Sequence, residues 1–161
     1  MANICSFRMR LKGTEENISK FFSALTQKGN VWMGRGAEAD IDFLSHNEAE
    51  IVGYCKWSVQ SALIDNSFSM RRQKETGEGY WGDLDTSKEF ITLFEACEEY
   101  HVNMEVYSEE SGCGFSEHYA YNDGEILNEC VNFSEEFDED TGEWISSGGF
   151  SEWTFDVKMP A

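Results

Sequence analysis

Five side chains that could do chemistry crowd one short stretch of the sequence: Glu109, Glu110, Cys113, Glu117 and His118. Carboxylates near an imidazole can bind a divalent metal ion or act as a general acid and base. In an extended strand, however, neighbouring residues point to opposite faces, which argues against joint action of Glu117 and His118. A small-ligand or metal-dependent enzyme at residues 109–118 therefore remains an alternative function. No catalytic residue, metal ligand or cofactor is assigned.

Two further motifs resemble ligand sites but lack the context that such sites need. Gly77, Gly79 and Gly82 have the spacing of a dinucleotide fingerprint, yet they neither follow a clear strand nor open a helix. Residues 138–142 resemble the start of a calcium loop, but Gly142 falls one position early and no helix pair brackets it. Residues 138–142 are therefore expected to form an acidic hairpin turn.

The distribution of charge is the stronger indication of function. The 161-residue chain has a net charge of −19. Residues 1–88 contain 12 acidic and 11 basic side chains, whereas residues 89–161 contain 19 acidic side chains and one basic side chain, Lys158. Such a field repels nucleic acid and anionic membranes and attracts a basic partner surface. The alternative is that the acids only keep a small protein soluble.

The acidic half predicts a partner-binding surface on the strands and turns of one sheet. Strand residues of like parity lie about 6.6–6.8 Å apart, within a factor of two of the phosphate spacing along one DNA strand. A carboxylate array could thus occupy the nucleic-acid groove of another protein, in a salt-sensitive way. The predicted acidic residues are Glu105, Glu109, Glu117, Glu129, Glu135, Glu136, Asp138, Glu139, Asp140 and Glu143, with Asp123 and Glu125 nearby.

Three aromatic residues could anchor this interface, because buried aromatic side chains often dominate binding energy. They are Tyr80, Trp81 and Trp144. Tyr80 and Trp81 lie in a glycine-rich loop that follows the only basic cluster, residues 71–74. Such a loop suits binding, and it equally suits a packed structural loop with Trp81 in the core.

These side chains must be positioned by strands and helices that the apolar periodicity predicts. In the first half, a strand is expected over residues 4–11 and a helix from the Thr14 N-cap to Gly29. Residues 41–44 suggest a strand or its end, residues 45–48 a turn, and the centre of residues 49–59 another strand.

In the second half, a helix is expected to begin at residues 85–89 and to end near Tyr100. A three-stranded meander follows over residues 102–133, with turns at residues 111–114 and 122–124. Residues 144–145 should resume the sheet, and residues 153–157 should form a last strand. The order predicts one α+β domain over residues 1–161: a split β-α-β arrangement with two helices on one face of an antiparallel sheet, extended by a C-terminal meander.

The composition of the sequence restricts the cellular compartment in which the protein is expected. No apolar run approaches the ~20 residues of a membrane span. The N-terminus alternates polar and apolar residues and lacks the h-region of a signal peptide, so export is not expected. Five scattered cysteines without a Cys-x-x-Cys pair favour free thiols in a reducing cytoplasm.

Several short segments carry a family resemblance. They are residues 1–13, the Cys55-Lys56-Trp57-Ser58 segment, the helix from Thr86, and Val106–Glu110 followed by Gly112-x-Gly114-Phe115. Together they resemble the YubB-type, Api-like ferredoxin-fold proteins of bacterial plasmids and phages. The sequence departs from that pattern at Ile4, where the family favours Trp, and over residues 60–84. The resemblance implies a ferredoxin-like fold, a mobile-element origin and a bacterial host cytoplasm, and it implies no established activity.

The sequence therefore predicts a non-enzymatic binding protein of a phage or plasmid. Its acidic face would engage the basic surface of a host nucleic-acid enzyme, such as a CRISPR effector, and act as a nucleic-acid mimic and inhibitor of host defence. No direct contact with nucleic acid or membrane is expected. Besides the enzyme alternative, a structural or oligomerisation module remains open, and a homodimer is compatible with the sequence.

Overall fold

The computed structural model describes residues 4–25, 38–56, 58–64, 91–110, 114–132, 134–147, 153 and 157–161. Within these ranges, the side chains of residues 56, 61, 62, 128–132, 134–136 and 144–147 lie outside the description. The elements in chain order are β1 (Ile4–Lys12), α1 (Glu15–Leu25), β2 (Glu38–Ser45), β3 (Glu48–Lys56), a π-helical turn (Gln60–Ile64), α2 (Leu93–Glu99), β4 (Asn103–Glu110), β5 (Phe115–Asn122), β6 (Glu125–Asn132), β7 (Ser134–Asp138) and β8 (Glu143–Ser147).

Six strands form one antiparallel sheet in the order β2-β3-β1-β4-β5-β6. Strand β1 lies between β3 and β4, and it is antiparallel to both. Strands β7 and β8 form a separate two-stranded antiparallel sheet. Two α-helices beside an antiparallel sheet confirm the predicted α+β class.

The helices cover one face of the six-stranded sheet. Strand β1 alternates buried and less buried residues, and its buried side chains are Cys5, Phe7, Met9 and Leu11. These side chains belong to one hydrophobic cluster with the buried residues of α1 and α2. Because successive strand residues point to opposite faces, we call the helix-covered side the core face and the other side the outer face.

Helix α1 has the predicted start and the predicted apolar face. The hydroxyl of Thr14 accepts a hydrogen bond from the backbone N–H of Asn17 at 3.2 Å, as an N-cap does. Ile18, Phe21 and Leu25 are buried against the sheet. The end predicted at residues 28–29 lies outside the described residues.

The helix predicted to run from residues 85–89 to Tyr100 is interrupted at Thr92. Thr92 is extended, with ψ at 166°, and its hydroxyl accepts a hydrogen bond from the N–H of Glu95. An extended residue interrupts a helix, so the described helix begins at Leu93 rather than running on from residues 85–89. That predicted first turn lies outside the described residues. The predicted end is confirmed, because Tyr100 is the C-cap.

The meander of β4, β5 and β6 is confirmed. Strands β5 and β6 are joined at Asp123 and Gly124, whose φ angles are 49° and 92°. Positive φ at both central positions is typical of a two-residue hairpin turn, and it explains the Asn-Asp-Gly sequence. Of the predicted turn at residues 111–114, only Gly114 is described.

The C-terminal part differs from the prediction in two ways. Strand β8 does not resume the main sheet, because it pairs with β7 across a tight acidic turn. That turn was predicted, and Asp138 Oδ1 accepts a hydrogen bond from the N–H of Asp140 at 2.9 Å.

The last strand expected over residues 153–157 is absent at Trp153 and Val157, and residues 154–156 lie outside the description. Just beyond it, the backbone of Lys158 bonds to side chains rather than to a neighbouring strand. Its N–H donates to Asn122 Oδ1 at 3.2 Å, and its carbonyl accepts from Asn103 Nδ2 at 2.7 Å.

Candidate functional site

Basic residues of β1 and acidic residues of β3 neutralise each other on the outer face. The Arg8 guanidinium donates through Nε to Glu50 Oε1 at 2.8 Å and also bonds to that oxygen through Nη2. Arg10 Nε lies 3.4 Å from Glu48 Oε1. The hydrogen bond to Glu50 raises the pKa of Arg8 against a smaller opposing effect of burial. Arg8 and Arg10 of β1 thus form ion pairs with Glu50 and Glu48 of β3.

Strand β2, at the edge of the sheet, carries a row of acids with no such partner. Glu38, Asp40 and Asp42 occupy alternate positions, so they share the outer face, and all three are exposed. Residues two apart in a strand are about 6.6–6.8 Å apart. Among the described residues, no ion pair neutralises any of the three. We call Glu38, Asp40 and Asp42 the β2 acidic row.

A groove of about 450 Å³ runs from the β2 acidic row toward β4 across the outer face. Exposed Val52 and the Tyr54 side chain form its middle, and Tyr107 and Glu109 form its other end. A hydrogen bond between Tyr54 and Glu38 raises the pKa of the Tyr54 phenol. The lining residues are Ser6, Phe7, Arg8, Glu38, Asp40, Val52, Gly53, Tyr54, Tyr107 and Glu109.

Aromatic rings pack on guanidinium groups at this face. The Arg8 guanidinium donates through Nη1 to the Tyr107 hydroxyl at 2.9 Å, and its central carbon lies 5.9 Å from the centre of the Tyr107 ring. The ring of Trp153 lies 4.8 Å from that of Tyr107 and 4.9 Å from the Arg10 guanidinium carbon. A guanidinium is therefore held here by a carboxylate, a phenol hydroxyl and an aromatic face together.

The structure separates the predicted partner surface into three groups. Glu109, Glu139, Asp140 and Glu143 are exposed, and Asp138 is half-buried at the β7–β8 turn. Glu105 and Glu117 are 3 % and 1 % exposed, so these two cannot contact a partner in this structure. The remaining side chains lie outside the described residues: Glu129, Glu135, Glu136, Trp144, Tyr80 and Trp81.

Glu117 is buried on the core face, where hydrogen-bond donors surround its carboxylate. The donors are the Val59 and Gln60 N–H groups, both at 2.9 Å, the Ser108 and Tyr119 hydroxyls, both at 2.7 Å, and the more distant Cys5 thiol at 3.9 Å. Two of them are backbone groups at the start of the π-helical turn. Glu117 therefore fixes that turn to the sheet, a structural role that its neighbours in sequence do not reveal.

His118 lies on the opposite face of β5 from Glu117, as the alternation predicted. Its Nε2 is 3.1 Å from Glu105 Oε1, and both side chains are almost fully buried. The described residues contain no group of three or more His, Cys, Asp or Glu side chains that could hold a metal ion. Cys113, which belonged to the predicted cluster, lies outside the described residues.

The described cysteines are free thiols, as predicted, and they are buried. Cys5 and Cys55 lie opposite each other on β1 and β3, and Cys97 lies in α2. A hydrogen bond with Cys5, and then burial, raise the pKa of the Cys55 thiol, and burial alone raises that of Cys97. Thiols with raised pKa values are poor nucleophiles at neutral pH, so we assign them no chemistry.

The β2 acidic row is the feature that sequence reasoning missed. The sequence Glu38-Ala39-Asp40-Ile41-Asp42-Phe43 alternates acidic and apolar residues, which is the signal of a half-buried strand with an acidic face. The charge count pointed to the C-terminal half instead. There, part of the acidic charge is buried, whereas the exposed row lies in the half that is nearly neutral overall.

No protein-family model, curated protein or solved structure matches this chain. The resemblance to the YubB-type family therefore stays a prediction, and function has to be inferred from the geometry. Among the helices of the described ranges, none has the length and apolar character needed to cross a membrane.

Proposed function

We propose that this chain is a non-enzymatic binding protein that presents carboxylates to a basic, nucleic-acid-binding surface of another protein. The β2 acidic row carries this proposal. Its three carboxylates are exposed, share one face and have no cationic partner among the described residues. Their spacing of about 6.6–6.8 Å is within a factor of two of the roughly 3.4 Å axial charge spacing of one DNA strand.

The pairing of β2 with β3 adds a second argument. Asp42 lies opposite Glu50, and like charges in directly opposite positions destabilise a sheet. This pair of like charges lowers the stability of the sheet and makes the electrostatic potential of the surface more negative. Such a pair is expected where the negative potential serves binding. The Asp138–Glu143 turn adds exposed carboxylates from a different element, which would extend the contact.

The proposal includes a ferredoxin-like fold and a plasmid or phage origin. The first four strands of the sheet have the order β2-β3-β1-β4, and in the described part of the chain α1 lies between β1 and β2 and α2 between β3 and β4. This order fits a ferredoxin-like split β-α-β arrangement, which β5 and β6 would extend. The family resemblance favours a plasmid or phage origin, and hence a host nucleic-acid enzyme, such as a CRISPR effector, as the partner.

An enzyme at residues 109–118 has less support. The carboxylate of Glu117 is surrounded by donors from the protein itself, and His118 points to the opposite face of the strand. That hypothesis requires stoichiometric uptake of a divalent ion, which His118→Ala would abolish. Calorimetric titration with Zn²⁺, Mn²⁺ and Mg²⁺ tests it directly, and we expect no uptake at a defined stoichiometry.

Binding to purified enzymes tests the proposal. The chain is immobilised and exposed at low salt to a CRISPR effector nuclease, a restriction endonuclease and a DNA polymerase, with an acidic protein as control. We expect at least one enzyme to be retained, to elute at moderate salt, and to be released by competing duplex DNA. Retention of none of them, or retention that DNA does not reverse, would overturn the proposed function for these classes.

A further inference from the structure

The outer face contains one bound guanidinium group, that of Arg8. Arg8 is bound by the Glu50 carboxylate and the Tyr107 hydroxyl, and it lies over the Tyr107 ring. Carboxylate, phenol hydroxyl and aromatic face are the three groups that arginine uses best, because its planar fork donates several hydrogen bonds and stacks on rings.

The same combination occurs a second time in the groove, without a guanidinium. Glu38 and Tyr54 are register partners on β2 and β3, and both line the groove. Asp40, two residues from Glu38 on the same face, adds another carboxylate. Glu38 and Tyr54 thus supply a carboxylate and a phenol, the two kinds of group through which Glu50 and Tyr107 bind Arg8.

The charge of the groove is complementary to a cation. Among the described residues, its lining contains three carboxylates, from Glu38, Asp40 and Glu109, and one cation, Arg8. The charge of Arg8 is already balanced by Glu50, so no cation of the described lining compensates the three carboxylates. A volume of about 450 Å³ falls in the range of sites that enclose a side chain or a small ligand.

We propose that the groove receives an arginine side chain of the basic partner, its guanidinium bound by Glu38, Asp40 and Tyr54. This inference rests on the proposed function and names the position at which recognition occurs. It predicts a preference for arginine over lysine, because an ammonium group neither forks between two carboxylates nor stacks as a plane on a ring. The exposed Val52 beside Tyr54 would contact the apolar stem of the arginine.

The test uses two fluorescein-labelled probes, nona-arginine and nona-lysine, titrated with the full chain at low salt while fluorescence anisotropy is recorded. We expect nona-arginine to bind at least several-fold more tightly. Tyr54→Phe removes one hydroxyl and no charge, and Val52→Trp fills the groove without changing the charge. Each should weaken nona-arginine binding, by about tenfold for Val52→Trp, and bring it close to that of nona-lysine.

The control is Glu98→Gln combined with Glu99→Gln, at exposed positions of α2 on the core side of the sheet. Its binding should stay within about twofold of the unmodified chain. Equal affinity for both probes, or full affinity in both Val52→Trp and Tyr54→Phe, would overturn the arginine groove and leave the proposed function standing. Failure of both probes to bind the unmodified chain would count against the proposed function itself. Tyr54→Phe keeps the test decisive if Val52→Trp does not fold.

Discussion

Asp42 lies directly opposite Glu50 in the antiparallel pairing of β2 with β3, and both carboxylates are on the outer face of the sheet. Glu50 is neutralised from its other side by Arg8, whereas no described cation reaches Asp42. Strand β2 thus carries negative charge that no described cation balances, whereas Glu50 on the neighbouring β3 is paired with Arg8 of β1. This relationship has consequences for stability and for binding that can be measured separately.

Asp42→Lys should stabilise the fold and weaken binding. The substitution turns a like-charge cross-strand pair into an opposite-charge pair, which is worth about 0.2–1 kcal/mol in the free energy of unfolding. Urea denaturation should therefore show a small gain, while nona-arginine affinity falls. Glu125→Lys, at an exposed position of β6 opposite the uncharged Asn122, makes the same change in net charge. Equal stabilisation by both substitutions would assign the gain to net charge and contradict the local account.

Gly53→Ala should displace the β2 acidic row. A Cβ atom at this position would meet the carbonyl oxygen of Glu38 and lie 3.0 Å from the Ala39 Cα, so β2 would have to move. Relief of such overlap typically costs 1–3 kcal/mol. We expect a loss of that order in urea denaturation, together with weaker nona-arginine binding. The neighbouring Val52→Ala, at a half-exposed position, should cost less than about 1 kcal/mol. Equal stability of the two variants would show that β2 accommodates the methyl group.

Glu117→Ala should destabilise the protein strongly without involving the acidic surface. It leaves the Val59 and Gln60 N–H groups and the Ser108 hydroxyl without this acceptor, whereas the Tyr119 hydroxyl also donates to Gln60 Oε1 at 3.2 Å. Each buried donor left unpaired costs roughly 1–3 kcal/mol, so a total loss of about 3 kcal/mol or more is expected from thermal or urea unfolding. Glu109→Ala, at an exposed position of β4, should change stability by less than about 0.5 kcal/mol. A mild effect of Glu117→Ala would mean that water or other groups replace the carboxylate.

Stability should fall at alkaline pH because of the buried thiols. The pKa values of Cys55 and Cys97 are raised in the folded protein, so the unfolded chain releases protons that the folded chain keeps. Their contribution is therefore fully present below about pH 8.5, the pKa of an unperturbed thiol, and is lost as pH rises above it. Each thiol accounts for up to about 1.4 kcal/mol per pH unit.

Urea denaturation between pH 7 and 10 measures this decline. Cys97→Ala removes one of the two protons, so its free energy of unfolding should decrease less steeply above about pH 8.5 than that of the unmodified chain. The comparison concerns the slope of the free energy of unfolding against pH. It is therefore independent of the constant loss of stability caused by the cavity that Cys97→Ala creates. Parallel curves for the two proteins would contradict the assignment to Cys97.

Local patterns in the sequence predicted the elements that depend on neighbouring residues. The Thr14 cap, the apolar face of α1, the meander and the Asp123-Gly124 turn all follow from residues a few positions apart. Strand β2 was predicted only in part, because the prediction included residues 41–44 and not the acidic and apolar alternation that begins at Glu38. The continuous helix predicted from residues 85–89 to Tyr100 is interrupted at Thr92, because the apolar pattern does not reveal that Thr92 acts as an N-cap.

The candidate site depends on contacts that local patterns do not contain. Arg8 bonds to Glu50, which lies 42 positions later in the sequence. Glu117 accepts a hydrogen bond from the N–H of Val59, which lies 58 positions earlier. Which acids are buried and which are exposed follows from the strand order, and the order of an antiparallel sheet is not fixed by periodicity. Glu105 and Glu117 were therefore assigned to a surface on which they do not lie.

The most direct measurement is the displacement of labelled duplex DNA from a nucleic-acid enzyme that the immobilised chain retains. The unmodified chain is titrated against the enzyme–DNA complex while anisotropy is recorded, in parallel with two variants that each lose two negative charges. Asp40→Asn with Asp42→Asn changes the β2 acidic row, and Glu98→Gln with Glu99→Gln changes exposed residues of α2 on the core side. We expect the unmodified chain and the α2 variant to displace DNA alike, and the β2 variant to need about tenfold more protein or to fail. Equal displacement by both variants would contradict the claim that the β2 acidic row binds the basic surface.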